Sequence, residues 1–537
     1  MSKKFLILFS IFILIQSISI DSTKNFLVDD DGRPMILHGV NVVVKLPPYI
    51  PETEKFDPSM SFSDEDIAIL KKLGINFIRL GFIWEALEKK EGEYDYEYLN
   101  KMSEIVDKLE KNDFYVLIDT HQDMFSRTLC GEGAPTFYAN KLTIERKCES
   151  NLLSRFFKLV TACIPLSSYN WNYDEQGLPL IEDCKNKGLF MDYHRSPELA
   201  SIYDSFYNNE NGVLDAFTEY WAIVAEKFKG RKNVIGLDIW NEPWPNNLWS
   251  DIRSLIPGYV DDKFVNPMYK KINDRIEQVD PNYILFYQPV PFPDNLPLLG
   301  GWTLSSFSSP PIDPEKRPQV FNVHDYCCLG GASVCREGEP NLDDAKNFCP
   351  DFHKRKLSTN KKQAQDLNAP LIVTEFGACS ASEACYHEML GFVQAADENL
   401  VSWAYWMYKG YHDHTTTAQN ETEGIFNPDG SIMELKKYAL SRSYVQKFQG
   451  YPLNMFFNDE TKELTAKFYL NSSLEEGTVI YVNKELNYPN GYDVFVDSDD
   501  NNRLINYNLK EDEDNYISFY IHSETNYNVT VRIVPKK

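Results

Sequence analysis

The sequence predicts an α/β protein in which a (β/α)8 TIM barrel is followed by a small C-terminal antiparallel β-sandwich domain. The first observation is that short apolar runs alternate with helical patterns from Ile36 to about Ser443, as in repeated βα units. The second is a change after Tyr444 to short alternating runs separated by polar turns. The third is the length of 537 residues, which suits a large domain and a smaller one.

Eight candidate strands can be counted in the first region, and eight parallel strands favour a closed barrel. They cover residues 35–44, 75–80, 114–119, 234–240, 283–287, 320–324, 371–375 and 401–406. Several are separated by segments with apolar residues at three- and four-residue spacing, which predicts amphipathic helices. These helices cover residues 62–73, 96–111, 213–228 and 267–278. We expect residues 21–443 to form the barrel domain.

Residues 122–209 are too long for a simple βα loop and contain four of the ten cysteines. We interpret this segment as an excursion over one face of the barrel. The cysteines lack the paired short spacings beside histidine that zinc sites show, so disulfides are expected instead of a metal. In the smaller domain, residues 444–537, five alternating runs predict strands. They cover residues 464–469, 478–482, 492–496, 516–521 and 529–534.

Residues 1–20 have the organisation of a signal peptide, with Lys3 and Lys4 before an apolar run and small residues near Ser19. The apolar run is shorter than the roughly 20 residues that span a bilayer. An even cysteine count and three glycosylation sequons suit a secretory route. The sequons are at Asn420, Asn471 and Asn528. We expect a secreted protein or one in a lysosomal or endomembrane lumen.

The net charge of −25 opposes binding to nucleic acid through a general basic face. Two glutamates stand at the ends of candidate strands: Glu242 in Asp-Ile-Trp-Asn-Glu-Pro-Trp and Glu375 in Leu-Ile-Val-Thr-Glu-Phe-Gly. Barrel active sites lie at this end of the strands. A single such glutamate more often forms a structural salt bridge, but two in matching settings favour paired acid and nucleophile or base chemistry on a glycosidic bond.

Asn241-Glu242-Pro243 and Thr374-Glu375-Phe376-Gly377 resemble glycoside hydrolase family 5, in strand position and in order. The resemblance covers roughly residues 30–443 and implies a retaining double displacement without a cofactor or metal. It makes Glu242 the acid/base and Glu375 the nucleophile. The family's substrate-binding framework then falls on Arg79, His121, Asn241, His324, Tyr326 and Trp406. Singly, His121 or Trp406 also suits ordinary core packing.

Asp119 to Ser126, Gly131 to Pro135 and His324 to Cys327 look like endoglycoceramidases and related glycosylceramide-cleaving enzymes. That resemblance adds Lys45 and Asp123 as sugar-binding residues, for which a surface ion pair is the alternative. Thr120 and Phe137 depart from the group, where methionine and tryptophan are common. These departures put the preferred glycan length in doubt.

The resemblance implies hydrolysis of the β-glycosidic bond between a glycan and ceramide, with a glycolipid as partner and transient contact with a membrane surface. One alternative is the same chemistry on a sterol glucoside or a β-glucan. Another is a carbohydrate- or lipid-binding protein without catalysis. Ceramide would need an apolar track beside Glu242. Candidate segments are residues 152–166 and 289–293, for which core packing is equally plausible.

Overall fold

The computed structural model describes residues 18–148, 163–291, 306–330, 338–416, 418, 421–499, 505–512 and 515–537. Eight strands, numbered in chain order, form a closed parallel barrel. They are β1 (His38–Val42), β2 (Phe77–Phe82), β3 (Tyr115–Thr120), β4 (Val234–Asp238), β5 (Leu285–Tyr287), β6 (Gln319–Asp325), β7 (Leu371–Gly377) and β8 (Ser402–Trp406). All eight predicted strands are therefore present.

The barrel closes because β8 pairs with β1, Trp403 lying opposite His38. Most strand residues are buried, as expected when side chains fill the barrel interior on one face and contact helices on the other. This is why the strands appear in the sequence as nearly continuous apolar runs. The predicted TIM barrel is confirmed.

Helices surround the barrel, and the four predicted ones are observed within two residues of their expected ends. The longer helices are Asp64–Lys72, Tyr96–Glu110, Val213–Phe228, Asn266–Val279, Cys349–Asp366, Glu383–Asn399 and Glu434–Leu440, with the shorter Trp84–Leu87 and Leu342–Asn347. Local signals set their ends. The Asp95 carboxylate accepts hydrogen bonds from the backbone N–H groups of Glu97 and Tyr98, an N-cap that satisfies donors left open by the helix.

The segment between β3 and β4 forms the predicted excursion. Its described helices are Thr136–Ala139, Ile181–Asn186, Phe190–Tyr193 and Pro197–Tyr207. Disulfides Cys130–Cys184 and Cys148–Cys163 link its parts, and Cys327–Cys349 and Cys379–Cys385 link segments after β6 and β7. The prediction of disulfides is confirmed. Of the two segments proposed for an apolar track, residues 152–162 of the first and residues 292–293 of the second lie outside the described residues.

The C-terminal domain consists of two four-stranded antiparallel sheets, as predicted. Its strands are β9 (Tyr444–Lys447), β10 (Gly450–Phe457), β11 (Leu464–Leu470), β12 (Thr478–Tyr481), β13 (Tyr492–Ser498), β14 (Asn506–Glu511), β15 (Tyr516–His522) and β16 (Asn528–Pro535). Three of them were not predicted. In β14 almost every residue is exposed, so the sequence has no buried face to reveal the strand. In β10 the register shifts between Pro452 and Asn454, which interrupts the alternation.

The sandwich packs against the N-terminal end of the barrel, away from the strand ends that carry the two glutamates. The ring of His38 stacks between Trp403 and Tyr444, at centroid distances of 4.2 and 3.6 Å. Arg442 bonds Asp397 of the barrel domain and Asp459 of the sandwich. His38 is thus a core residue, and these contacts join the sandwich to the barrel at the end away from the active-site mouth.

Within the part of the chain described, no helix is both long and apolar enough to cross a membrane.

Candidate active site

The Glu242 side chain lies just beyond the end of β4, where the backbone turns sharply. Glu242 has φ of 41°, a left-handed conformation that is uncommon for a residue with a side chain. Two glutamines hold this turn. The Glu242 N–H donates to Oε1 of Gln288 at 3.0 Å, and Nε2 of Gln122 donates to the Asn241 carbonyl at 2.6 Å. The turn directs a largely buried carboxyl, with 21% of its side chain exposed, into the barrel mouth.

The Glu375 side chain lies within β7, and each of its oxygens accepts a hydrogen bond. Nη1 of Arg79 donates to Oε1 at 2.6 Å, and the Tyr326 hydroxyl donates to Oε2 at 2.9 Å. A cationic donor favours the ionised carboxylate. Both partners of Glu375 are residues that the sequence predicts for the site.

Arg79, on β2, is completely buried and connects several carboxyls. Besides Glu375, its guanidinium donates to Asp119 and to Asp238, both at 2.9 Å. It also donates to Oδ1 of Asn241 at 3.0 Å. Burial alone lowers the pKa of Arg79, but the surrounding carboxyls outweigh burial and raise the pKa above its usual range. Arg79 is therefore a permanent cation at the centre of the site.

His324 lies between the two glutamates. Its Nδ1 is 2.8 Å from Oε1 of Glu242 and 3.2 Å from Oε2 of Glu375. One carboxyl oxygen of each glutamate lies within 4.8 Å of the other. Burial lowers the pKa of His324 to about 3, so its imidazole is neutral near neutral pH. The two carboxyls have the short separation typical of retaining glycosidases, in which about 5 Å leaves no room for a water between them.

The environment of Glu242 differs from that of Glu375. Burial, and then the charge of Asp123, raise the pKa of Glu242 above its ordinary value. Among the described residues no lysine or arginine bonds its carboxyl. Two carboxyls in different surroundings, one away from cationic side chains and one bonded to Arg79, are what an acid and a nucleophile require.

His121 and Trp406 form one wall of the site, with stacked rings and centroids 4.9 Å apart. Nδ1 of His121 is 2.8 Å from Oδ2 of Asp119. Burial alone lowers the pKa of His121, but Asp119 and Asp123 outweigh burial and raise the pKa to about 9. His121 is therefore a cation at neutral pH, and Asp119 links it to Arg79.

Lys45 lies beside this wall and forms an ion pair with Asp123, the other residue predicted to bind sugar. Its Nζ is 2.6 Å from Asp123 and 2.9 Å from Asp413, donates to the Thr415 hydroxyl at 2.7 Å, and lies 4.7 Å from the Trp406 ring centroid. The pair is buried and belongs to the site, so the alternative of a surface ion pair is excluded. The structure brings all ten predicted residues to one mouth.

Among the described residues, two groups of side chains have carboxylate and imidazole atoms close enough for a metal ion: Glu242 with His324 and Glu375, and His121 with Asp123 and Glu132. In the first, Arg79 already neutralises Glu375, and in the second, Lys45 already neutralises Asp123. The protein's own cations thus supply charge that a metal would bring.

Several polar residues that shape the site were not predicted, namely Asn41, Gln122, Asp238, Gln288, Asn322, Thr374, Asp413 and Thr415. Asp238 and Thr374 lie inside the quoted glutamate motifs, so their strand-end positions were the available signal. Asn322 occupies a similar position on β6. Asp413 and Thr415 lie in the long segment after β8, where no local pattern marks them.

Comparison with known proteins agrees with this geometry. The family model described as cellulase (glycosyl hydrolase family 5) matches residues 28–159 and 166–412, and the glycoside hydrolase family 5 C-terminal domain matches residues 442–533. An endoglycoceramidase of Cyanea nozakii is 29% identical over 489 residues, which cover 89% of this chain and 87% of the relative.

Two solved structures share the fold. Endo-glycoceramidase II from Rhodococcus sp., as its lactosyl-enzyme intermediate, has a TM-score of 0.68 at 20% identity, covering 96% of this chain and 100% of the other. Sterylglucosidase 1 of Cryptococcus neoformans has a TM-score of 0.65 at 14% identity, covering 97% of both chains. The family models cover the barrel and the sandwich, and both predicted glutamates meet in one site. This chain is a glycoside hydrolase and belongs to glycosyl hydrolase family 5.

Proposed function

We propose that this enzyme is a retaining β-glycosidase that hydrolyses the bond between a glycan and ceramide in glycosphingolipids. The observation that carries the mechanism is the approach of the Glu242 and Glu375 carboxyl oxygens to within 4.8 Å. In the first step Glu375 attacks the anomeric carbon while Glu242 protonates the departing oxygen. In the second, Glu242 removes a proton from water, which attacks the same carbon and releases Glu375.

The choice of ceramide rests on similarity. The relative from Cyanea nozakii that aligns with most of this chain is an endoglycoceramidase, and a lactosyl-enzyme intermediate is known for endo-glycoceramidase II of the same fold. The fold is shared with a sterylglucosidase as well, so a sterol glucoside is the second candidate substrate.

The excursion contacts the segment just after Glu242 through aromatic side chains. The Tyr207 hydroxyl donates to the carbonyl of Trp244 at 2.7 Å, and the His194 ring centroid is 4.4 Å from that of Trp244. Aromatic side chains packed this close to the acid suit a lipid aglycone better than a second sugar with its many hydroxyls.

Exposed apolar side chains in two segments that follow barrel strands support contact with a membrane surface. They are Tyr173, Leu180 and Leu189 in the excursion and Ile256 after β4, with 39–68% of each residue exposed. Both segments follow the C-terminal ends of adjacent strands, so they border the mouth. Because the enzyme carries a charge of −25, we expect this contact with neutral or zwitterionic lipid surfaces and not with strongly anionic ones.

The substrate is tested by incubating the purified enzyme with lactosylceramide in mixed micelles, a steryl β-glucoside and a soluble β-glucan. We expect equal molar release of ceramide and intact lactose, at a rate at least tenfold above that on the other substrates. Glu375→Gln provides the matched inactive control. Cleavage of the sterol glucoside with lactosylceramide untouched would assign the second candidate instead, and cleavage of β-glucan alone would overturn a lipid aglycone.

We propose further that the chain enters the secretory pathway and loses its signal peptide after Ser17, three residues before the predicted boundary. Ile18 is 1% exposed, and Ser19–Ile20 pair with Leu27–Val28, so these residues contribute to the folded domain. N-terminal sequencing of protein secreted by a eukaryotic host should begin at Ile18. A mature chain that begins at Asp21 would show that this strand is dispensable.

A further inference from the structure

A chain of buried hydrogen bonds leads from Arg79 to the acid/base. Nε of Arg79 and Nδ2 of Asn322 contact the same atom, Oδ2 of Asp238, at 2.9 and 3.0 Å. Oδ1 of Asn322 is 2.5 Å from the Thr374 hydroxyl. That hydroxyl is 3.1 Å from Nε2 of His324. The last member, Nδ1 of His324, is 2.8 Å from Oε1 of Glu242.

The direction of each bond is fixed from the Arg79 end. Arg79 is always a donor, so Oδ2 of Asp238 is an acceptor whether or not the other oxygen carries a proton. Asn322 must therefore turn its NH₂ group toward Asp238 and its carbonyl oxygen toward Thr374. The Thr374 hydroxyl has one proton, which it donates to that oxygen. It can then only accept from Nε2 of His324.

We propose that this chain of hydrogen bonds, from Arg79 through Asp238, Asn322 and Thr374 to His324, is a relay. It fixes the proton of His324 on Nε2 and so holds the catalytic proton on Glu242. A neutral imidazole has one N–H. With that proton on Nε2, Nδ1 presents a lone pair to both glutamates. Its shorter contact, 2.8 Å to Oε1 of Glu242, is favourable only when Glu242 is the donor. The longer contact, 3.2 Å to Oε2 of Glu375, faces a carboxylate whose charge is offset by Arg79. Thr374 and Asn322 are thus positioning residues that act through His324. The low pKa of His324, about 3 because of burial, agrees with a neutral ring.

The relay acts in both steps of the retaining chemistry on which this inference rests: it keeps Glu242 protonated before the first and makes it a stronger base in the second. At rest, the lone pair stabilises protonated Glu242. When Glu242 gives its proton to the departing oxygen, as the old glycosidic bond breaks and the bond to Glu375 forms, its carboxylate faces that lone pair without a proton between them. This repulsion makes Glu242 a stronger base toward the water of the second step, from which it recovers its proton.

Other charged groups around the pair contribute to any pH profile. His324 is surrounded by Glu242, Glu375, Arg79, Asp119 and His121, and Glu242 also by Asp123 and His194. Tyr326 bonds Glu375. Substitutions of Thr374 leave all of these side chains unchanged, so a shift in the pH profile reports on the relay.

Thr374→Val removes the hydroxyl and keeps the side-chain shape. Nε2 then loses its acceptor, the proton moves to Nδ1, and the imidazole donates to the Glu242 carboxylate. Because this stabilises the charged form, the pKa of Glu242 falls. We expect the alkaline limb of kcat/KM to move down by about one pH unit, whereas Thr374→Ser, which keeps the hydroxyl, retains the wild-type limb. Superimposable profiles for wild type and Thr374→Val would overturn the proposal.

A measurement on the wild type covers the case in which Thr374→Val does not fold. In ¹⁵N spectra of the resting enzyme labelled with [¹⁵N]histidine, the His324 signals are identified by their loss in His324→Asn. We expect a protonated Nε2 and an unprotonated Nδ1. An Nδ1–H tautomer or an imidazolium would overturn the relay. This readout needs no substrate, so it stays interpretable even if the ceramide assignment fails.

Discussion

Glu375→Ala is expected to abolish the covalent glycosyl-enzyme and to lower kcat by about 10⁴-fold or more, as removal of a nucleophile does in other enzymes. Among the described carboxyls of the site, Glu375 is the one held by both Arg79 and Tyr326, at 2.6 and 2.9 Å. The measurement is mass spectrometry after reaction with a 2-deoxy-2-fluoro aryl glycoside. We expect wild type to gain one sugar mass on the peptide that contains Glu375, and the variant to gain none.

Glu242→Ala provides the matched contrast, because it removes the other carboxyl of the pair. It should slow glycolipid hydrolysis by about 10²–10⁴-fold, the usual contribution of a general acid. It should still form the covalent adduct with an aryl glycoside, whose leaving group departs without a proton. Added azide should restore turnover in this variant, since it replaces the base-assisted water. An adduct on Glu242, or equal losses for both variants on the aryl glycoside, would reverse or refute the assignment.

The fold followed closely from the sequence because barrel strands are buried on both faces. A run such as Leu371 to Gly377 is apolar almost to its end, and the polar residues that interrupt it mark the mouth. The prediction of the sandwich was less complete, because a strand such as β14 is solvated and polar along its length. Pairing with β15 and not patterning of its own side chains defines it.

The ten site residues were predicted from strand ends and family resemblance, and the structure brings them together. What could not be predicted is how they are connected. Arg79 and Asp238 are 159 residues apart, and nothing in either motif indicates a shared bond. The register of neighbouring strands settles such pairings: His324 and Glu375 lie directly opposite each other on β6 and β7. Residues 149–162 and 292–305 lie outside the described part, so the aglycone track stays a prediction.

Arg79→Met is expected to lower the free energy of unfolding by about 3–5 kcal/mol, the usual consequence of removing one partner from a buried ion network. Methionine fills similar volume, but Asp119, Asp238 and Glu375 would remain buried without their shared cation. Arg79 is 0% exposed, so water cannot take over its role. The measurement is urea denaturation at pH 7 of the wild type, Arg79→Met and Arg79→Lys.

Arg79→Lys is the informative comparison, because it restores the positive charge but not the planar guanidinium group. The guanidinium makes separate bonds through Nε, Nη1 and Nη2, and one ammonium group cannot satisfy the three directions together. We therefore expect stability between wild type and Arg79→Met, with kcat still reduced at least tenfold because Glu375 is no longer held in place. If Arg79→Met were as stable as wild type, the carboxyls around Arg79 would have to be neutral in the folded enzyme.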